Sequence, residues 1–203
     1  RYHYTYANRI VRKIRSNILL TAQSRIPHFC AMCGNPLIEA IPEGENRLRA
    51  VCPRCGHIHY VNPLPVCGTI PVWEDKVLLC LRAIEPRRNY WTLPGGYLES
   101  NESSFDGAIR ETEEEACARV LPRMLFTVID VPFADQIHFF YLSDLNSPDF
   151  APGPESLECR LFKEEDIPWD QIAFPTITRT LRFFFDDRRT GLFRTHHIIL
   201  RKP

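Results

Sequence analysis

The chain has 203 residues, 44% of them hydrophobic, with 25 Lys and Arg set against 25 Asp and Glu. That is enough for one ordinary domain, or one domain with a small module, and for a sizeable core. A formal net charge of zero argues against a general nucleic-acid or polyanion binder, and no apolar run approaches the ~18 residues needed to span a membrane.

Residues 1–26 form a basic arm. Arg1, Arg9, Arg12, Lys13, Arg15 and Arg25 face no acid before Glu39. A basic, acid-free stretch has the composition of the end of an organelle transit peptide, or of an arm that docks on a partner. Residues 27–60 carry two C-x2-C pairs, Cys30/Cys33 and Cys52/Cys55, separated by eighteen residues, with Gly34 and Gly56 directly after the pairs. This is the spacing of a zinc ribbon, and four thiolates close a tetrahedral Zn²⁺ site with no open position, so the metal is structural. His57 and His59 follow closely and are not assigned as ligands. The remaining cysteines, Cys67, Cys80, Cys117 and Cys159, are scattered and read as buried thiols in a reducing compartment.

Residues 61–203 form the main domain. Pro65–Trp73 and Lys76–Arg82 read as strands joined by a turn at Glu74-Asp75. Asn89–Leu93 leads into Pro94-Gly95-Gly96, a turn that delivers the chain to a helix capped by Ser103 or Ser104. Ala108, Ile109 and Thr112 face inward on that helix. Glu111, Glu114 and Glu115 fall at i, i+3 and i+4 on one face, with Glu113 beside them. Unpaired, such a face is repulsive; a cation turns the repulsion into ligation, and hard oxygen donors without His or thiolate suit Mg²⁺ or Mn²⁺. The plain alternative is a solvated acidic surface. The glycines let a backbone carbonyl, that of Gly96, approach the ion. Two strands follow, 125–131 and 136–145, then a Pro/Gly-rich loop at 146–156 and a strand at 157–162. Thr176–Arg189 is a helix with a stripe of Ile177, Leu181, Phe184 and Phe185, stopped by Gly191. Residues 192–200 close the chain as a strand or an arm. Strands mixed with two helices make an α/β domain.

From Gly96 the pattern runs G-x5-E-x7-R-E-T-x-E-E-x-C-A, with Glu102 first and Arg110-Glu111 following. This resembles the Nudix box, and every charged position is present. Thr112 and Ala118 stand at aliphatic positions and Cys117 replaces the second glycine. Cys in a left-handed conformation costs roughly 1 kcal/mol, or the loop has another shape. The resemblance implies an αβα sandwich and Mg²⁺-dependent hydrolysis of a pyrophosphate bond, with Glu111, Glu114, Glu115 and the Gly96 carbonyl on the metal. Arg110 would pair with Glu102 and orient Glu111, or touch phosphate directly. The general base would be Glu155, Glu158 or a box glutamate. Trp91, Tyr97, Phe133 and Phe174 could stack on a base or belong to the core, and Arg82, Arg87 and Arg88 could meet phosphate or solvent.

A zinc ribbon before this box occurs in two groups of the superfamily. The NADH pyrophosphatase and NAD-decapping group carries S-Q-P-W-P-F-P after the box; the nearest fragment here is Ala173-Phe174-Pro175. The chloroplast FAD pyrophosphatase group is similar at 29–36, 61–63, 76–82, 91–99 and 151–162 (APGPESLECRLF). That similarity implies FAD hydrolysis to FMN and AMP, with ADP-ribose and NADH as further substrates, and a chloroplast location. The competing reading is a non-catalytic Nudix-fold subunit of a larger assembly, docked by its basic arm and zinc ribbon. A homodimer suits the enzyme.

Overall fold

The computed structural model describes residues 25–202. The basic arm therefore lies outside the described residues except for Arg25 and Ile26. The described chain forms two compact units, one of Leu64–Pro132 with the residues from Gln136 onward, the other of the residues before Leu64 with Phe133–Asp135.

The smaller unit holds a three-stranded antiparallel sheet of β1 (Ile38–Ala40), β2 (Arg49–Val51) and β3 (Ile58–His59), in that order. Gly34 and Gly56 adopt φ of 71° and 72°, which lets their N–H groups turn back to the carbonyls of Cys30 (2.8 Å) and Cys52 (2.9 Å). Its buried apolar side chains among the described residues are Cys30, Ala50 and Cys52, while Phe29, Met32, Ile41 and Leu48 are exposed. A unit this poor in core needs another source of cohesion.

The larger unit is built on one mixed sheet. Its elements are β4 (Leu64–Trp73), β5 (Lys76–Arg82), β6 (Trp91–Thr92), β7 (Gly95–Tyr97), α1 (Ser104–Ala116), β8 (Val120–Val131), β9 (Gln136–Leu145), β10 (Ser156–Phe162), α2 (Pro175–Thr190) and β11 (His196–Ile199). The strand order is β10-β5-β4-β9-β8-β11, with β6 paired to β5 and β7 to β4. β4–β9 and β8–β11 are parallel pairs and the other pairs are antiparallel. The helices cover opposite faces. Thr69 of β4 meets Thr112 of α1 through their hydroxyls (2.7 Å), whereas its neighbour Ile70 packs with Ile177, Leu181 and Phe184 of α2. Successive residues of a strand point to opposite faces, so the domain is an α/β/α sandwich.

One strand begins earlier than the sequence reading placed it, and two readings left open are decided. β8 begins at Val120 rather than 125 and runs through Pro122, beside which its register with β9 shifts. Proline cannot serve a regular ladder but is accommodated at such a bulge. Of the two readings of the closing segment the strand holds: His196–Ile199 pairs in parallel with Thr127–Asp130, and His196 Nε2 sits 2.8 Å from Asp187 Oδ2. For Trp91 the core reading holds: it is 6% exposed and edge-on to Phe162. Of the scattered thiols, Cys67 and Cys80 are buried, Cys159 is half-buried and Cys117 is exposed.

Candidate active site

α1 is started by Ser103, whose Oγ accepts from the Asp106 backbone N–H (3.1 Å) and donates to the Asp106 carboxylate (2.6 Å). This satisfies one orphan donor of the first turn and places a negative charge at the positive end of the helix. Thr112, where the box has an aliphatic residue, is fully buried, and its hydroxyl is satisfied by Thr69 and by the Ala108 carbonyl (2.8 Å). The departure is therefore tolerated because two threonines face each other, a match across 43 residues that neither one alone signals.

The acids are arranged around Arg110. Its Nε and Nη2 clasp both oxygens of Glu102 (3.0 and 2.7 Å), its Nη1 reaches Glu111 (2.8 Å) and Glu114 (3.1 Å), and Nη2 also donates to the Tyr97 carbonyl (3.2 Å). The fork of a guanidinium suits this shared clasp, which a lysine could not reproduce. Arg110 and the Glu99 backbone N–H hold the Glu102 carboxyl down at about 2. Glu111 responds the other way: burial raises its pKa although Arg110 opposes the change. Glu115 is 6% exposed, and burial pushes it up to about 7 against the single N–H of Gly95 (3.1 Å).

Gly96 is set by contact rather than by φ, since any side chain there would displace the Glu111 carboxylate. A Cβ there would lie 2.5 Å from a Glu111 carboxylate oxygen. Gly95 and Gly96, expected as a turn, pair instead as β7 with Gly68 and Cys67 of β4, and Gly96, Glu111, Glu114, Glu115 and Arg110 converge in one place. Glu155 is at its edge: it is exposed, and its negative charge contributes to raising both Glu111 and Glu115. Glu158 is not brought in; it bonds Arg160 of its own strand at 2.9 and 2.5 Å. Arg82, half-buried, lies with its guanidinium 5.2 Å from the Phe174 ring centroid, and its charge opposes the rise at Glu115.

The far end of α1 is closed by the 146–156 loop. Cys117 adopts φ 47° and ψ 30°, a left-handed cap whose N–H bonds the Glu113 carbonyl (2.9 Å). The loop keeps the shape glycine would give, at the steric cost of a Cβ. Cys117→Gly is expected to gain about 1 kcal/mol and raise Tm by ~2–4 °C in a thermal melt. The next orphan carbonyls are met from the loop: Gly153 N–H bonds Glu115 O and Ala151 N–H bonds Ala116 O, both at 2.9 Å. A Cβ on Gly153 would overlap the Glu114 carbonyl oxygen. Sequence reasoning saw a Pro/Gly-rich loop here and missed that it completes the acidic helix.

In the smaller unit the sulfurs of Cys30, Cys33, Cys52 and Cys55 all lie within 4.8 Å of one another, a set that can hold a metal ion. The backbone N–H groups of Met32 and Cys55 point at Cys30 Sγ (3.4 Å) and Cys52 Sγ (3.5 Å). Led by the Cys55 N–H, these surroundings bring the Cys52 thiol down to about 6.

A sandwich with a glycine pair leading to a carboxylate-bearing helix defines the Nudix fold and its box. Residues 63–180 match the NUDIX domain and residues 28–61 the Nudix N-terminal zinc ribbon, and the chain belongs to the Nudix family. It is similar to the NAD-capped RNA hydrolase NudC of Edwardsiella ictaluri, 25% identical over 170 residues, which cover 83% of this chain and 62% of the relative. The corresponding protein of Photobacterium profundum is 27% identical over 143 residues, covering 69% of this chain and 51% of that one. The chain thus spans between 51% and 62% of the length of these curated relatives. Among solved structures, a NUDIX hydrolase from Nitrosomonas europaea is 47% identical with a TM-score of 0.84, covering 87% of this chain and 100% of the other. An ADP-ribose pyrophosphatase from Streptococcus suis shares the fold, at 22% identity and a TM-score of 0.56 over 68% of this chain and 99% of that one. Among the described residues no helix is long and apolar enough to cross a membrane.

Proposed function

We propose that this protein hydrolyses the pyrophosphate bond of a dinucleotide, with FAD, cleaved to FMN and AMP, as its foremost substrate. The observation that carries the hydrolytic part is the clasp of Glu102, Glu111 and Glu114 by Arg110 beside the buried Glu115 and the Gly96 backbone. The FAD part rests on the segments shared with the chloroplast FAD pyrophosphatase group.

The acids fit a hard divalent ion. Glu115 is a nearly buried carboxylate with one hydrogen bond; burial raises both it and Glu111, the neighbouring acids add to both rises, and Arg110 offsets that of Glu111 only in part, so a cation would relieve the cluster. Glu111, Glu114, Glu115 and the Gly96 carbonyl would hold Mg²⁺ or Mn²⁺. Bound there, the ion supplies positive charge to the diphosphate and lowers the pKa of water. Arg110 keeps three carboxylates at fixed separations through this chemistry, so it acts on substrate through them. Glu155, exposed at the rim, is the favoured proton acceptor from the attacking water; Glu158, spent on Arg160, is the weaker choice. Attack at one phosphorus breaks its bond to the bridging oxygen and releases two monophosphates.

Chromatography of products from FAD, ADP-ribose and NADH with Mg²⁺ tests this. Wild type should give FMN and AMP, and Glu114→Gln should lose turnover by on the order of 10²–10³-fold, the several kcal/mol a metal ligand supplies. Turnover of ADP-ribose or NADH alone would keep the chemistry and move the substrate. NADH is the second reading because of the NudC relatives, although residues 173–175 keep only a fragment of that group's motif. Failure to turn over any of them would favour the non-catalytic subunit.

The ribbon takes Zn²⁺ in this reading. Elemental analysis of thiol-protected protein should find one zinc per chain, and Cys33→Ser should lose both zinc and the fold of the smaller unit. Binding free energies of ~10–16 kcal/mol make such metals the core of units this small. Residues 1–26 would direct the chain to an organelle, the chloroplast first, which a fluorescent fusion to the full chain would test.

A further inference from the structure

Four cysteines lie outside the ribbon, and the fold brings two of them together. Cys80 of β5 and Cys159 of β10 are direct partners across an antiparallel pair, and their sulfurs lie 3.5 Å apart as free thiols. Opposed residues on such strands have Cα atoms ~4.5–5.5 Å apart, inside the range a disulfide requires, so a bond can form without moving a strand. β10 is an outer strand of the sheet. Its register shifts between Ser156 and Glu158, just before the cysteine, and a strand bends easily at such an irregularity.

The two sulfurs differ in access. Cys80 is buried in an apolar cluster with Ala116 and Leu145, whereas Cys159 is half-buried against that cluster. An incoming oxidant therefore meets Cys159 first, and Cys80 stands behind it to resolve the adduct. Cys159 also touches the acidic helix. Its thiol reaches the Glu115 carbonyl oxygen as a donor at 3.6 Å, and the same carbonyl accepts from the Gly153 N–H. An aliphatic side chain at 159 would fill the space and serve neither contact.

We propose that Cys80 and Cys159 are a reversible modification site, a dithiol that a low-molecular-weight disulfide converts to an intramolecular disulfide, and that closing the bond lowers turnover at the acid cluster. The effect on turnover rests on the hydrolytic reading of that cluster; the bond itself does not. The Cys159 thiolate attacks one sulfur of the small disulfide, and the expelled thiolate takes up the proton that Cys159 gave away. Cys80 then loses its proton and attacks the Cys159 sulfur, releasing the second small thiol. Two electrons and two hydrogens pass from the protein to the oxidant, and a dithiol reductant returns them. In the bonded form Cys159 has no hydrogen to donate. The Glu115 carbonyl then keeps the Gly153 N–H and loses the thiol, so the end of α1 that carries Glu114 and Glu115 is held less firmly.

The test equilibrates zinc-loaded wild type, Cys80→Ala and Cys159→Ala in mixtures of reduced and oxidised glutathione. One portion is digested without reduction for mass spectrometry, and the other is assayed with FAD and Mg²⁺. Wild type should yield a peptide pair joined through Cys80 and Cys159, absent from either variant and reversed by dithiothreitol. Cys80→Ala lacks the resolving thiol and should instead trap glutathione on Cys159. Wild-type turnover should fall about threefold to tenfold on oxidation and recover on reduction. Reduced Cys80→Ala keeps the donor to Glu115 and should match reduced wild type. Cys159→Ala lacks that donor and should show the lowered rate in every mixture, which a purely packing role would not tie to the redox state of wild type. If neither form cleaves a dinucleotide, the hydrolytic reading has failed and the peptide map alone decides the bond. Wild type that keeps both thiols across the mixtures, or equal turnover in the bonded and dithiol forms, overturns the proposal.

Discussion

Glu115→Gln should remove pyrophosphatase turnover and at the same time flatten the pH dependence of stability in the magnesium-free, zinc-loaded protein. Glu115 has an ordinary value of 4.5 when unfolded and about 7 when folded, and burial is the largest cause. The folded chain therefore binds this proton more tightly. The contribution is fully present below pH 4.5 and is lost as pH rises through 7, by about 3 kcal/mol in total. Glutamine keeps an acceptor for the Gly95 N–H and has no charge to bury. Any fixed cost of its amide is the same at every pH, so the difference between wild type and variant isolates the carboxylate. Urea titrations at pH 5 and pH 8 should show the variant gaining relative to wild type by ~2–3 kcal/mol at the higher pH. Parallel curves would mean Glu115 is solvated and is not held ready for a cation. With Mg²⁺ limiting, wild-type kcat/KM should fall on the acid side of about pH 7 with unit slope, because one proton and the cation compete for the same oxygens.

Gly153→Ala should be the most damaging single methyl in the larger unit. Its added Cβ would coincide with the Glu114 carbonyl oxygen and press on the backbone of Glu115. Neither is the end of a flexible side chain, so relief requires moving the loop or the helix. If the loop withdraws, the carbonyls of Glu115 and Ala116 lose the N–H groups of Gly153 and Ala151. If the helix yields, the two glutamates that would hold the cation move with it. A cost of about 3 kcal/mol is expected, lowering Tm by ~6–12 °C, with turnover lost even below the melt. Gly44→Ala is the control: it has open space around it and a strained φ of 80°, so it should lose about 1 kcal/mol and keep activity. A variant at 153 that melts with wild type would show that the loop does not close on the helix end.

The acids of the site were legible because charge at helical spacing is a local pattern, and the C-x2-C pairs are local in the same way. Strand and helix positions followed from alternation and from the Ile177–Phe185 stripe, with Gly191 at φ 71° ending α2 as its place in the sequence suggested. Much of what stayed hidden depends on partners far along the chain. Thr112 looked like a defect until Thr69 was placed opposite it. Trp91 stayed open between core and ligand stacking because its two-residue strand is too short to show a period. Glu155 and Glu158 were equal candidates in sequence; in the structure Glu158 bonds Arg160 two residues on, while the charge of Glu155 adds to the rise at Glu111 and Glu115. Gly153 carried no visible signal, since its role is to leave room for a carbonyl 39 residues before it.

The bonds from Gly153 and Ala151 to the end of α1 also set a timetable. A chain made from its N-terminus emerges with the glutamate helix already written but with its last carbonyls unmet. β8, β9 and the whole 146–156 stretch must be synthesised before those carbonyls find donors, and contacts of that separation are closed late. The acids can form a helix early and reach their final spacing only when the loop locks down. In a nascent or half-folded chain the end of the acidic helix would therefore be unsecured, and the proposed cation site and its chemistry would be complete only with the fold.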